Sequence, residues 1–156
     1  MLVDCLVYLA LWAVVVGLAF AAFYRCLSYS TDLARNADDI ARVLKAGERW
    51  RKDVREATGP VSLTAAAPGV GQALHIPQKG GEVIYLFVDG AVLRRSGTNP
   101  AGIRALNGVK SSRMEKDERQ RIVCWRWEVE LKNKQKAVRV RPLFTFQAVP
   151  AERKVR

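Results

Sequence analysis

A run of 20 residues without a charged side chain, Cys5 to Tyr24, lies near the start of this 156-residue chain. As an α-helix such a run is roughly 30 Å long, which matches the hydrocarbon core of a bilayer. Asp4 and Arg25 flank the run, and no charge lies between them. This pattern favours membrane insertion, because a charge at mid-bilayer costs about 2.5–3.5 kcal/mol. We therefore predict a transmembrane or assembly helix over residues 1–27. Its membrane segment includes these side chains: Leu6, Trp12, Val16, Phe20 and Tyr24.

A cleaved signal peptide is the competing interpretation of this run. Signal peptides have a basic start, a shorter apolar stretch and a cleavage site of small residues. Here the start contains Asp4, the run is long, and residues 23–26 are bulky or charged. A lipoprotein signal at Cys5 fits less well, since Asp4 replaces a small residue. The pattern favours a retained anchor.

Beyond the run, residues 28–156 are numerous enough for one globular domain. An apolar stripe at steps of three and four residues predicts that the helix continues to about residue 57. Gly59 and Pro60 then end it. We expect a sheet to cover this stripe, which contains Leu33, Ala37, Ile40, Leu44, Gly47, Trp50, Val54 and Ala57.

The remainder of the chain has β character. Alternating or β-rich segments predict strands over the ranges 74–76, 82–88, 91–95, 109–117, 121–131 and 138–147. Asp89-Gly90 predicts a hairpin turn, residues 97–102 a loop, and residues 109–117 an edge strand. Period two places Trp125 and Trp127 on one apolar face. The predicted fold class is α+β, with a long N-terminal helix packed against an antiparallel sheet.

The charge is uneven: residues 101–156 hold 15 basic and six acidic residues, so +9 of the formal +11 lies there. This excess predicts attraction to anionic headgroups, nucleic acid or an acidic partner. Arg139 and Arg141, with Arg126 on the neighbouring strand, form the candidate surface. A solvated, arginine-rich sheet face would give the same composition.

Catalytic and metal-binding patterns are not found in the sequence. The chain has a single histidine, His75, and its three cysteines lack metal-ligand or redox spacing. We interpret the cysteines as small buried apolar residues, with a Cys26–Cys124 disulfide as the alternative. No catalytic triad or phosphate loop can be assembled. We expect a non-enzymatic protein without cofactor or metal.

The segment Met1-Leu-Val-Asp-Cys-Leu-Val-Tyr-Leu-Ala-Leu-Trp resembles the N-terminus of type IV pilins and type II secretion pseudopilins. Asp4 corresponds to the acidic residue of that family, after an aliphatic pair and before about twenty apolar residues. Residues 39–56 and 85–95 are similar to J-type minor pseudopilins. The resemblance implies a pilin-like fold, in which an N-terminal helix half in the membrane packs its other half on a sheet.

The resemblance also implies a structural role. Asp4 would set the register of assembly by meeting the N-terminal amine of a neighbouring pilin or pseudopilin subunit. The N-terminus would be cytoplasmic, with the body in the periplasm of a bacterium and the helix in its inner membrane. The family has a basic leader cut by prepilin peptidase; we expect in-frame codons upstream of Met1 to encode one, or else insertion without processing.

Two other functions remain as alternatives. The basic last third of the chain suits a membrane-anchored, pilin-like protein that binds DNA during uptake. A single-pass protein with a cytoplasmic body would follow from the charge near the membrane segment.

Overall fold

The computed structural model describes residues 2–65, 71–97, 99–119, 122–132 and 142–151. Helix α1 comprises Leu2–Arg55, which confirms that the helix continues without a break beyond the apolar run. The strands are β1 Ser62–Ala65, β2 Gln72–Gln78, β3 Gly81–Val88, β4 Ala91–Ser96, β5 Asn99–Asn107, β6 Val109–Arg119, β7 Ile122–Leu131 and β8 Leu143–Ala148. This is the predicted α+β class.

The chain divides into two compact units, Met1–Ala41 and Arg42–Arg156. The described part of the first unit is helix alone, and its apolar side chains are almost all exposed. This segment is long and apolar enough to cross a membrane, and its most apolar stretch is not buried within the chain. It is therefore a candidate membrane anchor.

The second unit contains the end of α1 and two antiparallel sheets. One sheet has the strand order β1-β2-β3-β4-β5 and the other β6-β7-β8. The amide of Val109 donates to Gly90 O at 2.9 Å, which joins the start of β6 to the β3–β4 turn. We expected one sheet, and two are found because the chain turns at Gly108, which has a φ of 70°, and starts a separate ladder.

Most strand predictions are confirmed. Asp89 and Gly90 have φ angles of 48° and 72° and connect β3 to β4, as their sequence indicates. β6 is an edge strand, and the two tryptophans of β7 are buried. The predicted loop over 97–102 is wrong from Asn99 onward, where β5 begins. Its bulged pairing with β4 hides the alternation that would have indicated a strand.

The apolar stripe of α1 is only partly buried. Leu33, Ile40 and Leu44 are exposed, whereas Val43, Ala46, Gly47, Trp50 and Val54 face the core. Residues 33, 40, 47 and 54 repeat every seven positions, and such a repeat drifts by about 20° per heptad around an α-helix. Leu33 and Ile40 also belong to the first unit, whose described part is helix alone, so the expectation that a sheet covers the whole stripe was wrong.

The cysteines depart from the expected burial. Cys5 and Cys26 are exposed and Cys124 is partly buried, and all three, which lie among the described residues, are free thiols. The first two belong to the helical first unit, where a side chain has only its own helix to pack against.

Candidate functional site

The strongest polar cluster of the described residues joins α1 to the larger sheet. Asp53, only 5% exposed, lies on the core face of α1 between Trp50 and Val54. Arg94 of β4 reaches it with two hydrogen bonds, Nε to Oδ2 at 2.7 Å and Nη2 to Oδ1 at 3.1 Å. This bidentate geometry is the strong form of an arginine–carboxylate pair.

Two further side chains complete what we call the Asp53 cluster. The Tyr85 hydroxyl donates to Asp53 Oδ2 at 2.6 Å. Gln78 Nε2 donates to the Asp53 main-chain oxygen at 3.2 Å and lies 3.4 Å from its Oδ1. Three neighbouring strands, β2, β3 and β4, thus each supply a donor to one helical carboxylate.

The cluster fixes the protonation of its members. Burial by itself would raise the pKa of Asp53, but the hydrogen bonds from Arg94 and Tyr85 outweigh it and hold that pKa below the usual 3.8. Burial, followed by the charge of Asp53, raises the pKa of Tyr85. The hydrogen bond to Asp53 raises the pKa of Arg94. At neutral pH the carboxylate and guanidinium are charged, and the phenol is a fixed donor.

This arrangement suits attachment rather than chemistry. A general base needs an oxygen directed at a substrate proton. Both Asp53 oxygens instead accept hydrogen bonds from side chains of the sheet, and the residue is buried. The Asp53 cluster therefore clamps the end of α1 to the larger sheet.

An aromatic cluster performs the same task on the smaller sheet. The ring centroid of Trp127 lies 5.7 Å from Trp50, 5.6 Å from Phe146 and 6.1 Å from Tyr85, all tilted. The indole nitrogen of Trp127 donates to Ser112 Oγ at 2.9 Å. These rings hold the helix to strands of both sheets.

Gly47 allows α1 to approach β8 closely. A Cβ at this position would overlap the ring of Phe146, which is buried. The sequence includes Gly47 in the apolar stripe but does not reveal that the absence of a side chain is what matters there.

We expect Gly47→Ala to lower the free energy of unfolding by about 1–3 kcal/mol, the usual cost of overpacking. Alanine is a better helix former than glycine by about 1 kcal/mol, so helix propensity alone would make the variant more stable. Urea unfolding of the detergent-solubilised chain measures the change. Gly80→Ala is the matched control, because a Cβ there meets open space. A more stable Gly47→Ala protein would contradict this close packing.

The structure places the predicted assembly residues on one helix. Asp4 lies in the first turn of α1 and makes an interaction within its own chain. Leu6, Trp12, Phe20 and Tyr24 are exposed, and Val16 is partly so.

The predicted anionic-partner surface is only partly described. Arg126 lies on the outer face of the smaller sheet, with Nη2 2.5 Å from Glu115 Oε2 and Nε 3.5 Å from Glu128 Oε1. The hydrogen bond from Arg126 lowers the pKa of Glu115, so this pair is ionised. Arg139 and Arg141 lie outside the described residues. Around Arg126 the described surface is balanced in charge.

The Asp53 cluster was missed in the sequence, although a signal for it exists. Asp53 is an acid beside Val54 on the apolar face of a helix. Arg94 alternates with Val92, so period two directs it toward the core. A buried acid and a buried base in a chain of this size predict an ion pair, because an unpaired buried charge is costly.

His75 and the acidic residues form no larger assembly in the described ranges. His75 Nδ1 lies 3.0 Å from Glu82 Oε1 at an exposed position. No group of three or more histidine, cysteine or acidic side chains in the described part of the chain could hold a metal ion.

Comparison with protein-family models, with curated proteins and with solved structures gives no match for this chain. The structure shows a long N-terminal helix with an apolar first part, followed by antiparallel sheets. The pilin-like assignment is a prediction from the N-terminal segment.

Proposed function

We propose that this chain is a non-enzymatic, pilin-like subunit, similar to a minor pseudopilin, in a type II secretion or type IV pilus-type assembly. The observation that supports this most is the continuity of α1 from Leu2 to Arg55. At its N-terminal end this helix has an apolar segment of membrane length. At its C-terminal end it packs in the core of a β-rich domain. Such a helix suits a subunit whose membrane anchor and body belong to one continuous element.

Exposure of the apolar segment supports a role in assembly. None of its most apolar window is buried within the chain. A core helix of a soluble protein would be mostly covered, whereas this one needs lipid or the helices of other subunits to cover it. In our proposal lipid covers it first and sister subunits cover it after assembly.

Asp4 is the proposed register residue. A carboxylate in an apolar surround is costly unless it is paired. In the proposed assembly Asp4 exchanges its interaction within the chain for the N-terminal amine of a neighbouring subunit. The N-terminus then lies in the cytoplasm and the body in the periplasm, with prepilin peptidase acting on any leader.

Cross-linking in membranes tests this proposal. We expect a photoreactive residue at Leu11 to form adducts with other membrane-anchored subunits. Asp4→Ala should lower their yield at least about tenfold, since breaking a buried ion pair costs about 3–5 kcal/mol. Asp32→Ala, on the same helix beyond the membrane segment, is the matched control. Normal assembly of the Asp4→Ala protein would contradict the register role.

DNA binding during uptake is the second candidate function. The observation that favours it is an exposed basic row on α1, formed by Arg42, Lys45, Arg49 and Lys52. Affinity for duplex DNA should then fall steeply with salt concentration, because phosphate contacts release counterions. Absence of binding at low salt would exclude this function.

A further inference from the structure

A cleft in the second unit lies where the two sheets meet. Its volume is about 340 Å³, and three chain segments form its walls: the β3–β4 turn, β5 with its connection to β6, and the end of β7. Two main-chain hydrogen bonds hold these segments together. The amide of Val109 donates to Gly90 O at 2.9 Å, and the amide of Lys132 donates to Gly108 O at 2.8 Å. The backbone of both sheets therefore sets the shape of the cleft.

Two basic side chains line this cleft, Arg104 of β5 and Lys132 after β7. Both are exposed, and neither makes an ion pair or a side-chain hydrogen bond with another described residue. On the outer face of the smaller sheet, by contrast, Arg126 is paired with Glu115. The two positive charges at the cleft are thus available to a ligand.

The glycine of the β3–β4 turn lets the lysine side chain lie against the turn. A Cβ at Gly90 would come within 2.9 Å of Lys132 Nζ and 3.4 Å of its Cε. The φ of Gly90 is 72°, so the turn also requires glycine for its backbone. Because the side chain of Lys132 folds back over this turn, its ammonium group lies at the wall of the cleft.

The rest of the lining narrows the chemistry of the ligand. Asp89 also lines the cleft and forms no ion pair with a described residue, so two bases and one acid leave a net charge of +1. This balance favours a singly charged anion over a phosphate dianion. Val88 and Leu93 add apolar surface beside the charges. Ligand sites measure about 300–1,000 Å³, so a cleft at the lower end of that range suits a short acid and not a nucleotide.

We propose that this cleft binds a carboxylate on a short aliphatic stem, either a small carboxylic acid or a glutamate side chain. The guanidinium of Arg104 takes the carboxylate oxygens, since its planar fork matches them, and Lys132 adds a point charge. Leu93 packs against the stem. The site goes beyond the proposed function, because it lies within the second unit and needs neither a membrane nor another subunit.

Nuclear magnetic resonance of the full chain in detergent micelles tests the site. The amide signals of Gly90 and Gly108 report on two of its walls. We expect both to shift saturably with propionate or with a blocked tripeptide that contains one glutamate, and not with chloride at the same ionic strength. Saturation by propionate supports a free acid as the ligand, and saturation by the tripeptide alone supports an acidic side chain.

Two results of this titration would overturn the proposal. One is the absence of saturable shifts with both carboxylates, or shifts equal to those that chloride causes. The other is tighter binding of inorganic phosphate than of either carboxylate, which would contradict the preference for a singly charged group.

Charge variants give effects of opposite sign. Arg104→Gln or Lys132→Gln should weaken carboxylate binding about fivefold, at the upper end of the range for exposed ion pairs. Asp89→Asn removes the like charge and should strengthen binding about threefold, and asparagine before glycine keeps the hairpin turn. Lys79→Gln, at an exposed position on the β2–β3 turn outside the cleft, is the matched control and should leave the affinity unchanged. Equal weakening by Lys79→Gln would show attraction to the general positive charge of the chain and would overturn the site.

Discussion

Arg94→Met is expected to lower the free energy of unfolding by about 3–5 kcal/mol, because it leaves the buried carboxylate of Asp53 without its cation. Methionine retains most of the packing volume of arginine, so the loss of stability comes from the missing charge and not from a cavity. Urea unfolding of the full chain in micelles, followed by near-ultraviolet circular dichroism, measures it. Arg95→Met, one residue along the same strand but exposed, should change stability by less than about 0.5 kcal/mol.

The pH dependence distinguishes the charge from simple packing. In the native chain the pKa of Asp53 is held below 3.8, so its contribution is present at neutral pH and is lost as the pH falls through that lowered value. Without Arg94, burial should raise the pKa of Asp53. Acidification then protonates the buried carboxylate and reduces the loss of stability in the variant. The stability difference between the two proteins should therefore shrink from pH 7 to pH 4. A difference independent of pH would contradict the ion pair.

Trp50→Ala is expected to lower the free energy of unfolding by about 3–5 kcal/mol, the usual cost of removing a large core aromatic side chain. Trp50 is fully buried against Trp127, and it attaches α1 to the smaller sheet. The loss of its ring leaves a cavity between helix and sheet. Denaturant unfolding measures the change, and helicity at zero denaturant shows whether α1 remains formed.

Leu44→Ala is the matched control for Trp50→Ala. It removes an apolar side chain from the same helix at an exposed position, so stability of the monomer should change by less than about 0.5 kcal/mol. Equal effects of the two substitutions would show that the end of α1 does not pack as described.

Elements fixed by local pattern were predictable. The uninterrupted apolar run, the Asp89-Gly90 turn and the alternation around Trp125 and Trp127 each depend on neighbouring residues, and the structure has all of them. The face that α1 buries was not predictable from the stripe alone. A seven-residue repeat and a 3.6-residue helix diverge slowly, so the choice between Leu44 and Val43 depends on where the sheets lie.

Contacts between distant segments were the harder part. Asp53 and Arg94 are separated by 41 residues, and their pairing follows from the position of β4 beside the helix end. The division into two sheets depends on one turn at Gly108. The non-enzymatic character and the assembly role both stay predictions from the sequence, and the assembly role depends on the N-terminal resemblance.

Alkaline extraction of membranes, followed by intact mass measurement, tests the central claim most directly. We expect the full chain to stay in the membrane fraction with its apolar segment still attached. A freely soluble protein that lacks the first two dozen residues would show that the segment is a cleaved signal, and would contradict both the anchor and the assembly role.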